Sequence, residues 1–270
     1  MVEIENKYKI GTRRFGRVNW IGAYTLYKKE VLRFLIVSGQ TLLGPIVTSI
    51  LFLLVISLAI GENRANVLGV PYIEFLANGL IMMQVIQQSF SHSSSSMMMG
   101  KMMGTVVDVV GSPLSAAEVT ISIVLASVTR GLCIAMISSI IFIIFLDIQI
   151  YSFLYWFIYI FLSAFFLGSA GFIAGLYADK FDQMATVTNF IIVPLSFLSG
   201  TFYSIERLPK ILQDISFYNP FFHMIDGFRY SFIGSQDGSV IFGLFYLFLL
   251  SLLTWYFAFY LYKRGYKIKS

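Results

Sequence analysis

The chain has 270 residues, of which 57% are hydrophobic and only 12% charged. Soluble domains carry about 25% charged residues, so a water-soluble globular protein is excluded. The formal net charge of +5 calls for no nucleic-acid partner, because the charges cluster between long uncharged stretches, as in a polytopic α-helical membrane protein.

The first 33 residues are polar and basic, with Lys7, Lys9, Arg13, Arg14, Arg17, Lys28, Lys29 and Arg33. They lack the short apolar core of a cleavable signal peptide, so the first span is expected to act as the insertion signal. Residues 17–33 predict an amphipathic helix in the membrane interface. Trp20, Tyr24, Tyr27 and Val31 share one face, with Arg17, Lys28 and Lys29 largely elsewhere. A plain anchor and a mechanical role both fit this helix.

A spanning helix needs about 20 mostly apolar residues. Six stretches qualify: 34–61, 75–93, 119–146, 148–178, 183–203 and 238–262. The second is the weakest, because of its glutamines and serines. Pro45 in the first and Pro194 in the fifth remove backbone donors and predict local bends. Gly168, Gly171 and Gly175 in the fourth read as packing positions, the last two at GxxxG spacing. The chain divides into a cytoplasmic N-terminus (1–33), a transmembrane domain (34–262) and a basic tail (263–270).

Six spans place both ends on one side, and both ends are basic, the tail carrying Lys263, Arg264, Lys267 and Lys269. Since Lys and Arg are enriched in loops retained inside, the termini are expected in the cytoplasm. The loops 94–117 and 179–183, with Lys101 and Lys180, join them there. The loop with Arg64, the turn at Asp147 and the segment 204–237 with Arg207, Lys210 and Arg229 fall outside. Cys133 stands alone, so no internal disulfide forms, and no internal repeat is visible.

Four features bear on function. Gln84, Gln87, Gln88 and Ser91 recur along one face of the second span, and Thr186, Asn189, Ser196 and Gly200 along one face of the fifth. Such faces must meet protein or water, so they read either as a substrate path or as interhelical hydrogen bonding. Arg130 is the only charge well inside a span, about 20 Å from its boundary. It is expected to pair, with Gln84 and Gln87 as candidates, or to face a substrate anion. The stretch GTVVDVVGSPLSAAEV (104–119) is broken at Gly111 and Pro113, and Ser112 or Ser115 can cap the helix that follows. It reads as a connecting loop or as a docking helix. In NPFFHMIDGFRYSFIG (219–234), Asn219 can cap a helix that Pro220 opens, with His223, Asp226 and Arg229 on one polar face. Too short and polar to span, it predicts a re-entrant or interfacial helix outside, its polar face wet or paired internally.

These last two stretches, with PLSFLSGTFYSIERLP (194–209), resemble the ABC-2 type permeases in order and in topological place. Those proteins are the membrane subunits of bacterial ATP-driven exporters, in the branch exporting drugs, polysaccharides and lipids. The resemblance runs from about Tyr24 to Gly265. It implies two subunits side by side in the inner membrane, most simply a homodimer, with a separate cytoplasmic ATPase. Residues 17–33 would then be a connecting helix and about 100–114 a coupling helix, where Asp108 and Pro113 match the family pattern and Lys101 and Gly111 lie alongside. Spans two and five would flank the path, and 205–234 would be paired external re-entrant helices. The loop 97–104 departs from the family in being methionine-rich, with Lys101 its only charge.

No G-x-x-x-x-G-K-[ST] phosphate loop occurs, since Gly100-Lys101 lacks both the upstream glycine and the following Ser or Thr. The chain is therefore expected to bind no cofactor or metal and to have no catalytic residues, with ATP hydrolysed by the partner. An ion-coupled secondary transporter would need a carboxylate within the membrane, but Glu74, Glu118 and Asp147 sit at span ends. An intramembrane lipid-modifying enzyme would need an acid–base or metal cluster, for which only His92 and His223 offer themselves.

Overall fold

The computed structural model describes residues 18–60 and 66–267. Lys7, Lys9, Arg13, Arg14, Arg17, Arg64 and Lys269, which enter the charge argument, lie outside them, as do most of segment 1–33 and Gly61 of the first span.

In chain order, α1 (Trp20–Ile36) leads through a π-helical turn (Gly39–Leu43) into α2 (Gly44–Ile60). Then come α3 (Tyr72–Met102), the short α4 (Val106–Gly111), α5 (Ala116–Leu146) and α6 (Phe153–Tyr177). A broken helix follows: α7 (Phe181–Val187), a π turn (Thr188–Ile192), α8 (Val193–Ser196) and a second π turn (Phe197–Thr201). After a 3-10 turn (Ile205–Arg207), α9 (Lys210–Phe217), α10 (Pro220–Ile233) and α11 (Val240–Lys263) complete the chain. No strand is present among the described residues.

Among the described residues, five stretches are long and apolar enough to cross a membrane: Gly39–Ala59, Ala116–Leu146, Phe153–Tyr177, Phe181–Thr201 and Val240–Lys263. They match five of the six expected spans. The sixth expectation falls on α3, whose 31 residues reach about 46 Å at 1.5 Å each but whose glutamines and serines lower its apolarity. Its position explains the composition. α3 is the central helix, packed on α5 and α6, with Leu76, Leu80, Val85 and Met98 wholly inaccessible. A helix surrounded by protein need not be greasy.

The α3–α6 contact is backbone to backbone. A Cβ added at Gly175 would lie 2.6 Å from the Ser94 carbonyl oxygen, and one at Gly171 would meet that of Phe90 still more closely. Side chains larger than hydrogen would push the helices apart, which is the use of GxxxG spacing.

At one end of the bundle α1 lies across the others, burying Leu26, Glu30 and Phe34 while leaving Trp20 and Tyr24 exposed. Leu26 joins Met97, Val119, Leu176 and Leu261 in one apolar cluster, so the ends of α3, α6 and α11 and the start of α5 meet here. Of the two candidate caps for α5, Ser115 is the one used. Its side chain accepts from Glu118 N, and Glu118 reciprocates. Glu118 serves two helices: Oε2 accepts from Ser115 N at 2.7 Å and Oε1 from Asn19 N at 2.6 Å. Asn19 caps α1 through Gly22 N and donates through Nδ2 to Pro113 O at 3.0 Å. One carboxylate thus ties α1, the 104–115 stretch and α5 together. Glu118→Ala is expected to cost about 1 kcal/mol per lost cap, about twice the cost of Ser115→Ala, read as a lower thermal midpoint in detergent.

Candidate functional site

The polar stripe of α3 lies at graded depth. Gln84 is buried, whereas Gln87, Gln88 and Ser91 are half-buried. Arg130, 7% exposed, reaches this stripe from α5: Nη2 donates to Gln88 Oε1 and, at 3.2 Å, to Thr41 O. Its partner is therefore Gln88, one turn beyond the expected Gln84 and the residue after Gln87, together with a backbone carbonyl of the first span.

The stripe expected on the fifth span does not stay on one face. Thr186 and Asn189 point outward, while Ser196 and Gly200 are buried and Ser196 Oγ donates to Ile192 O. The intervening π turn carries more residues per turn than an α-helix, so α-helical spacing loses register across it. On the outer surface of the first span Gln40 is likewise exposed. By contrast α11 presents Phe245, Phe248, Leu252 and Tyr256 outward, a surface suited to lipid.

At the end where α1 crosses, Asp108, Gly111 and Pro113 are exposed, beside the exposed apolar Met102, Met103, Val107 and Val110. A groove of about 630 Å³ runs between α1 and α4, lined by Gly22, Thr25, Lys29, Asp108, Val109 and Leu114 among others. Lys101 turns the other way. Its Nζ donates to Leu176 O at 2.7 Å and to Ala178 O at 2.5 Å, closing the C-terminus of α6. Sequence reasoning missed Glu30, which is 3% exposed. Its Oε2 accepts from Arg33 Nε at 3.0 Å and Ser96 Oγ at 2.8 Å, with His92 Nε2 3.9 Å away. The Leu26–Glu30–Phe34 spacing was the available signal, but the aromatic face of the same helix hid it. Asn19 was also missed, although Ser115-x-x-Glu118 is a visible capping-box signature.

At the opposite end α10 is buried against α6, α11 and α3. Asn219 caps it by accepting from Phe221 N, and Asn219 Nδ2 donates to Ser199 Oγ at 2.8 Å. Its polar residues pair within the protein. Asp226 accepts from Asp237 N and Gly238 N, both at 2.9 Å. Asp237 in turn accepts from Ser204 Oγ and Ile205 N. Arg229 donates to Gly200 O at 2.7 Å and sits 3.7 Å over the Phe75 ring. His223 Nε2 donates to Phe217 O at 2.8 Å. Burial pushes the Asp226 carboxyl up from its ordinary range, against the two N–H donors and the Arg229 charge. Burial lowers His223. The arrangement staples the 199–205 bend, α10 and the start of α11 together. Of the two readings of this face, wet or paired internally, Asp226 and Arg229 take the second, since both are buried.

Residues 22–233 match the model of the ABC-2 type transporter family. The chain belongs to that family. As an ABC-2 chain it has well-covered relatives. It is 30% identical to the inner membrane transport permease YadH of Escherichia coli K12 over 240 residues, 87% of this chain and 94% of the relative. It is 23% identical to nodulation protein J of Rhizobium leguminosarum bv. viciae over 246 residues, 86% and 88% of the two chains. The nodulation protein J of Neorhizobium galegae is 23% identical over 230 residues, 81% and 83%. The family places the chain among the membrane subunits of transporters, and its matched region takes in α4, the bend at Gly200 and α10.

Proposed function

We propose that this chain is the transmembrane subunit of an ATP-driven exporter in a bacterial inner membrane. It works as a pair of copies with a separate ATPase, which supplies the phosphate loop that this sequence does not contain. In this reading α3 is the sixth span, both termini are cytoplasmic, α1 lies in the inner interface with Trp20 and Tyr24 toward lipid, and α9–α10 form the external re-entrant element. The observation that carries it is the exposed apolar patch Met102, Met103, Val107 and Val110 around α4, outside the spans and at the basic end. Exposed apolar clusters outside lipid mark partner surfaces, and Glu118 and Asn19 join this one to both α1 and α5.

Motion of the α4 region would then reach the membrane through that joint. Asp108, Gly111 and Pro113 shape the docking surface, while Lys101 keeps the end of α6 in place beneath it. The substrate path would run where amides face outward or are half-open: Gln87, Gln88 and Ser91 on α3, Asn189 on the fifth span and Gln40 on the first. Gln84, Ser196 and Arg130 support it from behind. Amide and aromatic surfaces of this kind suit an amphipathic or lipid-linked substrate. Glu30 is the carboxylate that an ion-coupled transporter would use, but it is paired with Arg33 of its own helix and accepts from Ser96 Oγ, which ties α1 to α3.

The test is purification of the tagged chain from its native membrane in mild detergent, with identification of co-purifying proteins by mass. A stoichiometric ATPase that is lost in a Val107→Asp/Val110→Asp variant of unchanged oligomeric state is the expected result. No ATPase from a preparation that keeps its oligomeric state would overturn the proposal and favour ion coupling.

A further inference from the structure

The two irregular spans leave backbone carbonyls that ordinary helix geometry does not satisfy, and each meets a buried arginine. In an α-helix the Thr41 carbonyl would accept from the N–H of residue 45, but that residue is Pro45 and has none. The chain takes its π turn here, at Gly39–Leu43, and Arg130 Nη2 comes from α5 to donate to Thr41 O at 3.2 Å. Gln88, on α3, accepts from the same nitrogen and orients the guanidinium. In the fifth span the backbone leaves helical geometry at Ser199 and at Gly200, whose φ is +83°. Arg229, 1% exposed, donates to Gly200 O at 2.7 Å while resting on Phe75 of α3. Within hydrocarbon such a carbonyl must find a donor in a neighbouring element.

Both arginines therefore hang from the core built around α3 and grip a span lying outside it. That core has no slack, because α3 and α6 touch through backbone at Gly171 and Gly175. We propose that Arg130 and Arg229 are positioning residues, carbonyl clamps that pin the irregular turns of the first and fifth spans to the core, so that each span swings when its clamp releases. Pinning follows from the contacts alone. Swinging as a step of transport rests on the transporter reading above.

The experiment uses spin labels in a Cys133→Ala background, in nanodiscs and diluted with unlabelled protein so that only distances within one chain are read. One pair joins Val47→Cys on the first span to Phe157→Cys on α6, and a second joins Leu198→Cys on the fifth span to Phe157→Cys; all three positions are exposed. Arg130→Met is expected to broaden the first distance and add a longer one while leaving the second unchanged. Arg229→Met should do the reverse. The decisive variant adds Pro45→Ala to Arg130→Met: it returns an N–H to the Thr41 carbonyl, and the first distance should narrow back to that of the unsubstituted chain. An unchanged first distance in Arg130→Met, both distances moving in either variant, or no recovery with Pro45→Ala would each overturn the clamp. If Arg130→Met does not accumulate, recovery of folded protein by Pro45→Ala becomes the readout, and its failure counts against the proposal. These distances require no ATPase. A clamp found in a chain that binds none would therefore leave this inference standing while the transport reading falls.

Discussion

Gly171→Leu is expected to abolish accumulation of folded chain, with Gly171→Ala intermediate. A Cβ at this position meets the carbonyl oxygen, carbon and Cα of Phe90, all backbone, so no rotamer change relieves the contact. Overpacking in a core typically costs about 1–3 kcal/mol. Here relief requires separating α3 from α6, the most extensive helix pair in the fold, so the leucine variant belongs at or above the top of that range. Size-exclusion profiles of the solubilised protein, with thermal midpoints where a folded peak remains, check this. Gly111→Ala is the control, because the added carbon meets nothing within 4 Å beyond its chain neighbours and its own helix backbone. A monodisperse Gly171→Leu protein with an unaltered midpoint would show that α3 and α6 do not pack as described.

The second large effect is expected at Asp226. Asp226→Ala orphans two backbone N–H groups, at Asp237 and Gly238, and removes a carboxylate that stabilises the Arg229 charge through space. Removing one member of a buried charged network costs about 3–5 kcal/mol. Asp226→Asn keeps an acceptor oxygen and should lose less. The loss should also be local at first. Proteolytic cleavage in the 235–239 connection should appear in Asp226→Ala before cleavage elsewhere, because that carboxylate is what holds the connection to α10. Equal midpoints for all three proteins would mean that the 2.9 Å contacts contribute nothing.

Much of this architecture was legible because it depends on local chemistry. Uncharged runs of spanning length mark five spans directly, and Asn219-Pro220 announces the start of α10. Gly111 ends α4 as the sequence suggests, and the GxxxG spacing locates the closest helix pair. α3 was harder to read because its polarity is tolerated only by its central position, which composition cannot display. The partner of Arg130 is Gln88, the residue after the expected Gln87, and the fifth-span stripe does not keep to one face because π turns shift the face that each residue occupies. The capping signature Ser115-x-x-Glu118 was readable, but nothing in it shows that the same carboxylate would also receive Asn19, 99 positions away in the chain.

The sequence by itself determined that the chain lives in a membrane, roughly where it crosses, and that it resembles ABC-2 permeases, because hydropathy, prolines, glycines and caps act over a few residues. Only the tertiary structure decided where the buried charges go. Glu30 meets Ser96, Glu118 joins two helix starts, Asp226 holds a loop, and Arg130 and Arg229 find carbonyls on distant spans. A charge or an unpaired carbonyl in a low-dielectric interior must be satisfied by whatever group the fold brings within about 3 Å. Which group arrives is set by helix packing, not by position along the chain.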